Sequence, residues 1–209
     1  MRSSRPEVVA HRGASAAEAE HTLAAYQAAL DLGADGLECD VRLTRDGVLV
    51  CVHDRRVDRT SSGRGVVSTM ELADLAELDF GSWRNAGEAP DPLLTASWEA
   101  PDFDRTAVLT LERLLEMVAD VDRPVRLAIE TKHPTRYAGL VESTLVEVLR
   151  RHGLDTAGGN GKDSVRVMSF APVGLRRVRQ LAPDLPTVHL MKRIPLARRD
   201  GTVSVSATI

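Results

Sequence analysis

The chain has 209 residues, enough for one large domain or two small ones, and a hydrophobic content of 43% that is normal for a buried core. Its 27 basic and 30 acidic residues give a formal charge of -3, and aromatic residues make up only 3%. The chain therefore offers neither an overall positive charge nor many rings for stacking on bases, and we expect no nucleic-acid partner.

The N-terminal residues contain no long apolar segment. Residues 8–10 form the first apolar run, which is too short for a signal peptide or a membrane span. We therefore expect a cytoplasmic protein without stable membrane insertion, and the sequence leaves its oligomeric state open. Cys39 and Cys51 lie in apolar runs and are expected to be reduced packing residues, because two cysteines are too few for a disulfide framework.

In chain order, residues 8–10 predict a short buried strand with His11 at its carboxyl end. A helix follows, with Thr22 as its N-cap, apolar residues at helical spacing from Leu23 onward, and Gly33 as its stop. These elements begin a strand, helix, strand unit.

The second strand is predicted over residues 37–43, where apolar and polar residues alternate strictly. The alternation places Glu38, Asp40 and Arg42 on one face of the strand. Both carboxylates therefore point into the same space.

A hairpin is predicted directly after this strand. Asp46-Gly47 is a strong short-range signal for a hairpin turn, and the apolar run at residues 48–52 would fold back antiparallel. This pairing would bring His53 opposite the neighbourhood of Asp40.

The rest of the chain predicts an α/β protein. Residues 54–124 are less regular, with turn-prone and proline-containing stretches, and we interpret them as a lid or small insertion after the second strand. Strands are predicted over 125–132, 165–170, 187–191 and 203–209, and helices over 110–118, 137–151 and 172–181. This alternation favours a parallel sheet, most simply a TIM-type (β/α)8 barrel formed by one domain over residues 1–209, with its chemistry at the carboxyl ends of the strands.

Three carboxylates are the candidate metal ligands. Glu38 and Asp40 by themselves could be a polar stripe on a half-exposed strand. Inside a barrel they would be costly unless a cation neutralised them, and Glu130, at the end of another apolar strand, would add a third oxygen ligand. Oxygen ligands suit Mg²⁺ or Ca²⁺, and the absence of clustered thiolates or imidazoles argues against zinc.

His11 and His53 both follow predicted strands and are the candidate general base and general acid. An imidazole with an unperturbed pKa of about 6.5 can exchange protons in both directions near neutral pH. Each could instead be an ordinary core or surface histidine. The other histidines lack this setting and are predicted to be structural or solvated: His21, His133, His152 and His189.

Arg12 and Lys132 flank the same predicted site. Both could orient a phosphodiester and stabilise the negative charge that develops in its transition state. Arg12 could instead form a salt bridge with a site carboxylate, and the two roles are compatible.

Six motifs follow one another along the chain: Ala10-His11-Arg12-Gly13, Glu20-His21-Thr22, Gly36-Leu37-Glu38-Cys39-Asp40-Val41, His53-Asp54, Asp58-Arg59-Thr60 and Ile129-Glu130-Thr131-Lys132. Together and in this order they resemble the glycerophosphodiester phosphodiesterase family. The resemblance implies a barrel enzyme that uses a divalent cation to hydrolyse a small-molecule glycerophosphodiester to glycerol 3-phosphate and an alcohol. It implies an acid–base pair at His11 and His53, metal ligands at Glu38, Asp40 and Glu130, and phosphate contacts at Arg12 and Lys132.

Two departures from the family pattern keep alternatives open. His21 stands where the family usually has asparagine, and the final barrel strands of the family are missing, so we expect a barrel that stops after about its sixth strand, residues 203–209. The alternatives are a catalytically silent barrel fragment and a phospholipase D-like enzyme that cleaves lysophospholipids. The sequence names neither the leaving alcohol nor the cation.

Overall fold

The computed structural model of the chain describes residues 5–85, 102–133 and 139–191. Within these ranges six strands form one sheet: β1 Val9–His11, β2 Gly36–Leu43, β3 Leu49–Cys51, β4 Arg126–Thr131, β5 Ser164–Ser169 and β6 Thr187–His189. The α-helices are α1 Leu23–Asp31, α2 Leu72–Ala76, α3 Phe103–Thr106, α4 Leu111–Ala119, α5 Leu140–Arg151 and α6 Pro172–Leu181.

The sheet is parallel along the path β1-β2-β4-β5-β6, and β3 pairs antiparallel with β2. Along this path each strand pairs with the next parallel strand in chain order, which is the strand order of a TIM-type barrel. The parallel α/β class predicted from the sequence is confirmed. The predicted strand at 203–209 and the predicted start of the helix at 137 lie outside the described residues.

Strand β2 lies at the centre of the ionisable residues predicted to form the site. Its amino-terminal half pairs with β1, with His11 beside Glu38, and its carboxyl-terminal half pairs with β3. On its other edge it pairs with β4 in a register that puts Asp40 beside Glu130. Three neighbouring strands thus present ionisable residues at one end of the sheet.

The opposite face of β2 packs into the main core. Leu37, Cys39 and Val41 are buried there with apolar residues of β4 and of helices α1, α4 and α5. Both cysteines are free and buried, as their apolar setting predicts. None of the helices in the described ranges is long and apolar enough to cross a membrane.

Strand β1 is more exposed than predicted. Val8 and Val9 are 56% and 43% exposed, because β1 has one strand neighbour, β2, among the described residues. A three-residue apolar run predicts a strand but does not reveal how many neighbours will cover it.

The described part of the irregular segment, residues 54–85 and 102–124, contributes to a second, small apolar cluster. Val57, Val67, Leu75 and Phe80 are buried together with Val50 and Val52 from the hairpin. The segment therefore packs on the hairpin that leads to His53.

Candidate active site

The three predicted metal ligands lie together at the carboxyl end of the sheet. Oxygen atoms of Glu38, Asp40 and Glu130 all lie within 4.8 Å of one another. These residues are 5%, 0% and 7% exposed, so the group is almost removed from water. Strand alternation places the first two on one face of β2, and the register with β4 adds the third.

The two predicted phosphate-binding residues bring positive charge to this group. Lys132 Nζ lies 2.9 Å from Asp40 Oδ1 and 2.8 Å from Glu130 Oε1. Arg12 Nε lies 3.0 Å from Asp40 Oδ2, and the Arg12 backbone N–H donates to Glu38 Oε2 at 3.1 Å. Arg12 thus forms the carboxylate ion pair that was one of its two predicted roles. With all five groups ionised, three negative charges face two positive ones.

The pKa values of the carboxyl groups reflect this excess of negative charge. Burial and the neighbouring Asp40 carboxylate raise the pKa of Glu38 to about 8, and burial also raises the pKa of Glu130 despite its bond with Lys132. The pKa of Asp40 is lowered, because hydrogen bonds and charge from His21 and Lys132 outweigh the opposing effect of burial. A divalent cation held by three oxygen ligands would remove the imbalance, so these residues fit Mg²⁺ or Ca²⁺.

The predicted hairpin is present and places the His53 backbone beside β2. Gly47 has φ +87°, and the Val52 backbone N–H donates to the Asp40 carbonyl at 3.0 Å. His53 follows at once, and its Nδ1 lies 2.7 Å from Asp54 Oδ1. The His53 carbonyl accepts from the Arg42 guanidinium of β2 at 3.0 and 2.8 Å, so the hairpin brings this residue beside β2, as the turn predicts.

His11 lies at the open side of the carboxylates. Its Nε2 is 3.9 Å from Glu38 Oε2, and its side chain is 58% exposed. Partial burial and the neighbouring Arg12 guanidinium lower its pKa, which favours the neutral imidazole that a general base requires.

His21, predicted to be structural or solvated, is buried and contacts the site. It is 5% exposed, and its Nε2 lies 3.0 Å from Asp40 Oδ2. Its Nδ1 lies 2.8 Å from the Tyr26 hydroxyl, which is also 3.0 Å from the Glu38 carbonyl oxygen. His21 adopts a left-handed conformation, φ +64°, just before the Thr22 cap of α1. In the sequence, its place in the Glu20-His21-Thr22 motif was the signal that could have indicated a role for His21 in the site.

Comparison with known proteins supports the interpretation of this geometry. The sequence model of the glycerophosphoryl diester phosphodiesterase family matches residues 11–208. The chain belongs to this family. The enzyme family predicted from the sequence motifs is confirmed.

Several members of the glycerophosphodiester phosphodiesterase family are similar over most of the chain. The Mycobacterium tuberculosis protein named "Probable glycerophosphodiester phosphodiesterase 1" is 51% identical over 205 residues, which are 97% of this chain and 70% of that protein. A Bacillus subtilis glycerophosphodiester phosphodiesterase is 38% identical over 190 residues, 90% of this chain and 60% of that protein. The chain thus spans 60% to 70% of the length of these two relatives.

A solved structure gives the same fold. The structure of an Oleispira antarctica phosphodiesterase in complex with the product sn-glycerol-3-phosphate matches with a TM-score of 0.71 and 28% sequence identity, covering 92% of this chain and 68% of that one. This likeness agrees with the sequential parallel strand order of the described sheet.

Proposed function

We propose that the protein is a divalent-cation-dependent phosphodiesterase that hydrolyses glycerophosphodiesters to glycerol 3-phosphate and an alcohol. The observation that carries the proposal is the buried group of Glu38, Asp40 and Glu130, with Arg12, Lys132 and the His11 ring beside it. The named relatives and the product bound to the Oleispira enzyme support the same substrate class.

Glu38, Asp40 and Glu130 would hold the cation, for which we propose Mg²⁺ or Ca²⁺ because every ligand is a carboxylate oxygen. When bound, the cation supplies positive charge that stabilises the phosphate oxygens. Arg12 and Lys132 would bind the same phosphate and hold it in position for attack.

His11 and His53 would move the protons. One imidazole removes a proton from the attacking hydroxyl or water as the new P–O bond forms, and the other donates a proton to the alcohol oxygen as the old P–O bond breaks. The exposed His11 ring is accessible to a substrate, and the Nδ1 contact of His53 with Asp54 leaves its Nε2 available.

The test is an assay for glycerol 3-phosphate released from glycerophosphocholine in the presence of Mg²⁺ or Ca²⁺. We expect turnover that a chelator abolishes and that His11→Ala and His53→Ala each reduce by about 10²- to 10⁴-fold. His152→Ala, at the far end of α5, is the matched control and should retain activity. Equal activity in the wild type and the three variants would contradict the assignment of the two histidines. So would a loss of activity confined to His152→Ala.

A lysophospholipid substrate is the second candidate. Phe170 and Met191 follow β5 and β6 at the same end of the sheet as the site, and they are 46% and 73% exposed. Exposed apolar side chains at this end could contact an acyl chain. Comparing kcat/KM for lysophosphatidylcholine and glycerophosphocholine decides between the two substrates.

A further inference from the structure

Arg59 lies in the loop after β3 and contacts two carboxylates that belong to different parts of the chain. Its Nε donates to Asp54 Oδ2 at 2.7 Å. Its two terminal nitrogens donate to both oxygens of Glu20, at 3.0 and 2.7 Å. One planar guanidinium thus uses two edges to join the loop after β3 to the loop after β1.

Each of these carboxylates also contacts a proposed active-site residue. Asp54 Oδ1 lies 2.7 Å from His53 Nδ1, and Glu20 Oε1 lies 3.1 Å from Arg12 Nη1. A continuous series of polar contacts therefore runs from the acid–base imidazole, through Arg59, to the phosphate-binding guanidinium.

The burial and the contacts of Glu20, Asp54 and Arg59 favour one ordered arrangement of these three side chains. The side chain of Glu20 is 13% exposed, that of Asp54 33% and that of Arg59 44%. Burial raises the pKa of both carboxyl groups, but the contacts with Arg59 outweigh it and both pKa values lie below the usual range. The Arg59 guanidinium also lies over the Trp83 ring, 6.0 Å from its centroid, which restricts its rotation.

We propose that Arg59 is a positioning residue, which orients the His53 ring through Asp54 and the Arg12 side chain through Glu20. An ionised Asp54 only accepts hydrogen bonds, so it holds the proton of a neutral His53 on Nδ1 and leaves Nε2 free for catalysis. This assignment rests on the proposed function, since it concerns the same reaction. It gives the irregular segment, which carries Arg59 and Trp83, a role in the geometry of the site.

Arg59→Gln removes the charge and the forked donor, and Arg59→Lys keeps the charge alone. Arg56→Gln is the matched control, because Arg56 lies in the same loop and pairs with exposed Asp58 at 3.1 Å, away from the site. We expect Arg59→Gln to lower kcat by about 10- to 100-fold, with Arg59→Lys close to it because a single ammonium cannot replace both edges of the guanidinium. Arg56→Gln should leave kcat and KM unchanged.

A double variant tests whether Arg59 influences kcat through Asp54. If Arg59 acts through Asp54, then Asp54→Asn combined with Arg59→Gln should lower kcat little more than the worse single variant. If the fold-loss of kcat in the double variant equals the product of the two single losses, Arg59 does not act through Asp54 and the proposal is overturned.

The tautomer of His53 provides a readout that does not depend on turnover. Long-range ¹H–¹⁵N spectra of ¹⁵N-histidine-labelled protein should show the Nδ1–H form in the wild type and in Arg56→Gln, and a mixture of tautomers in Arg59→Gln. Kinetics and spectra of Arg59→Gln that match those of Arg56→Gln would overturn the proposal. Failure of the wild-type protein to cleave any glycerophosphodiester would instead contradict the proposed function, and the spectra would still decide whether Arg59 orients His53.

Discussion

Replacing Glu38 with glutamine should stabilise the cation-free protein at alkaline pH. Glu38 is 5% exposed, and its carboxylate lies among two others with too few cations to neutralise them. Its pKa in the folded protein is about 8, well above the ordinary value of 4.5. Glutamine has nearly the same shape, carries no charge, and keeps an oxygen that can accept from the Arg12 backbone N–H.

The sign and magnitude follow from proton linkage. Because the folded-state pKa is raised, the stability that Glu38 contributes is fully present below pH 4.5 and is lost as the pH rises through about 8. The difference between 4.5 and about 8 corresponds to at most about 5 kcal/mol of unfolding free energy. Glu38→Gln avoids this loss, so its advantage over the wild type should grow between pH 5.5 and pH 9.

Urea unfolding in the presence of a chelator, at pH 5.5 and pH 9, measures this difference directly. We expect the variant to be more stable by about 1 kcal/mol at pH 5.5 and by several kcal/mol at pH 9. Saturating Ca²⁺ should stabilise the wild type at pH 9 and have little effect on the variant. A variant that is less stable than the wild type at both pH values, by the same amount, would refute the reasoning.

Three further predictions concern the same part of the molecule. Asp40→Asn should lower the free energy of unfolding, by less than the about 3–5 kcal/mol of a fully unpaired buried charge, because Lys132 and Arg12 lose their shared partner but keep Glu130 and Glu20. Urea unfolding with chelator checks this. Gly13→Ala should be destabilising by at least about 1 kcal/mol in the same assay, since Gly13 has φ +80° and a Cβ there would lie 2.6 Å from the Ala25 carbonyl carbon. Calorimetric titration should show Ca²⁺ binding that weakens by up to about tenfold per pH unit below pH 8, because the cation must displace the Glu38 proton; binding independent of pH would contradict this.

Local chemistry explains which parts of the fold the sequence predicts well. The Thr22 side chain accepts from the Ala25 backbone N–H at 3.2 Å and begins α1 as its N-cap, where the sequence predicts it. The Asp46-Gly47 turn and the alternation along β2 are likewise properties of a few adjacent residues. The parallel order of the strands follows from the alternation of strands and helices, and it brings the three carboxylates together.

Contacts between distant residues were not predictable in this way. His21 reaches Asp40 only because the start of α1 lies against β2, and the Arg59 contact with Glu20 spans 39 positions. Neither contact has a periodic pattern in the sequence. The motifs that contain these residues indicate that they matter, but only the packed structure identifies their partners.

The most direct test of the account follows the phosphorus atom itself. ³¹P NMR of glycerophosphocholine incubated with the protein and Mg²⁺ or Ca²⁺ should show the diester resonance replaced by that of glycerol 3-phosphate, with no conversion after addition of a chelator or in Glu130→Gln. An unchanged diester resonance with folded protein and saturating cation, or conversion that persists in the chelator, would contradict the assignment of this site as a cation-dependent phosphodiesterase centre.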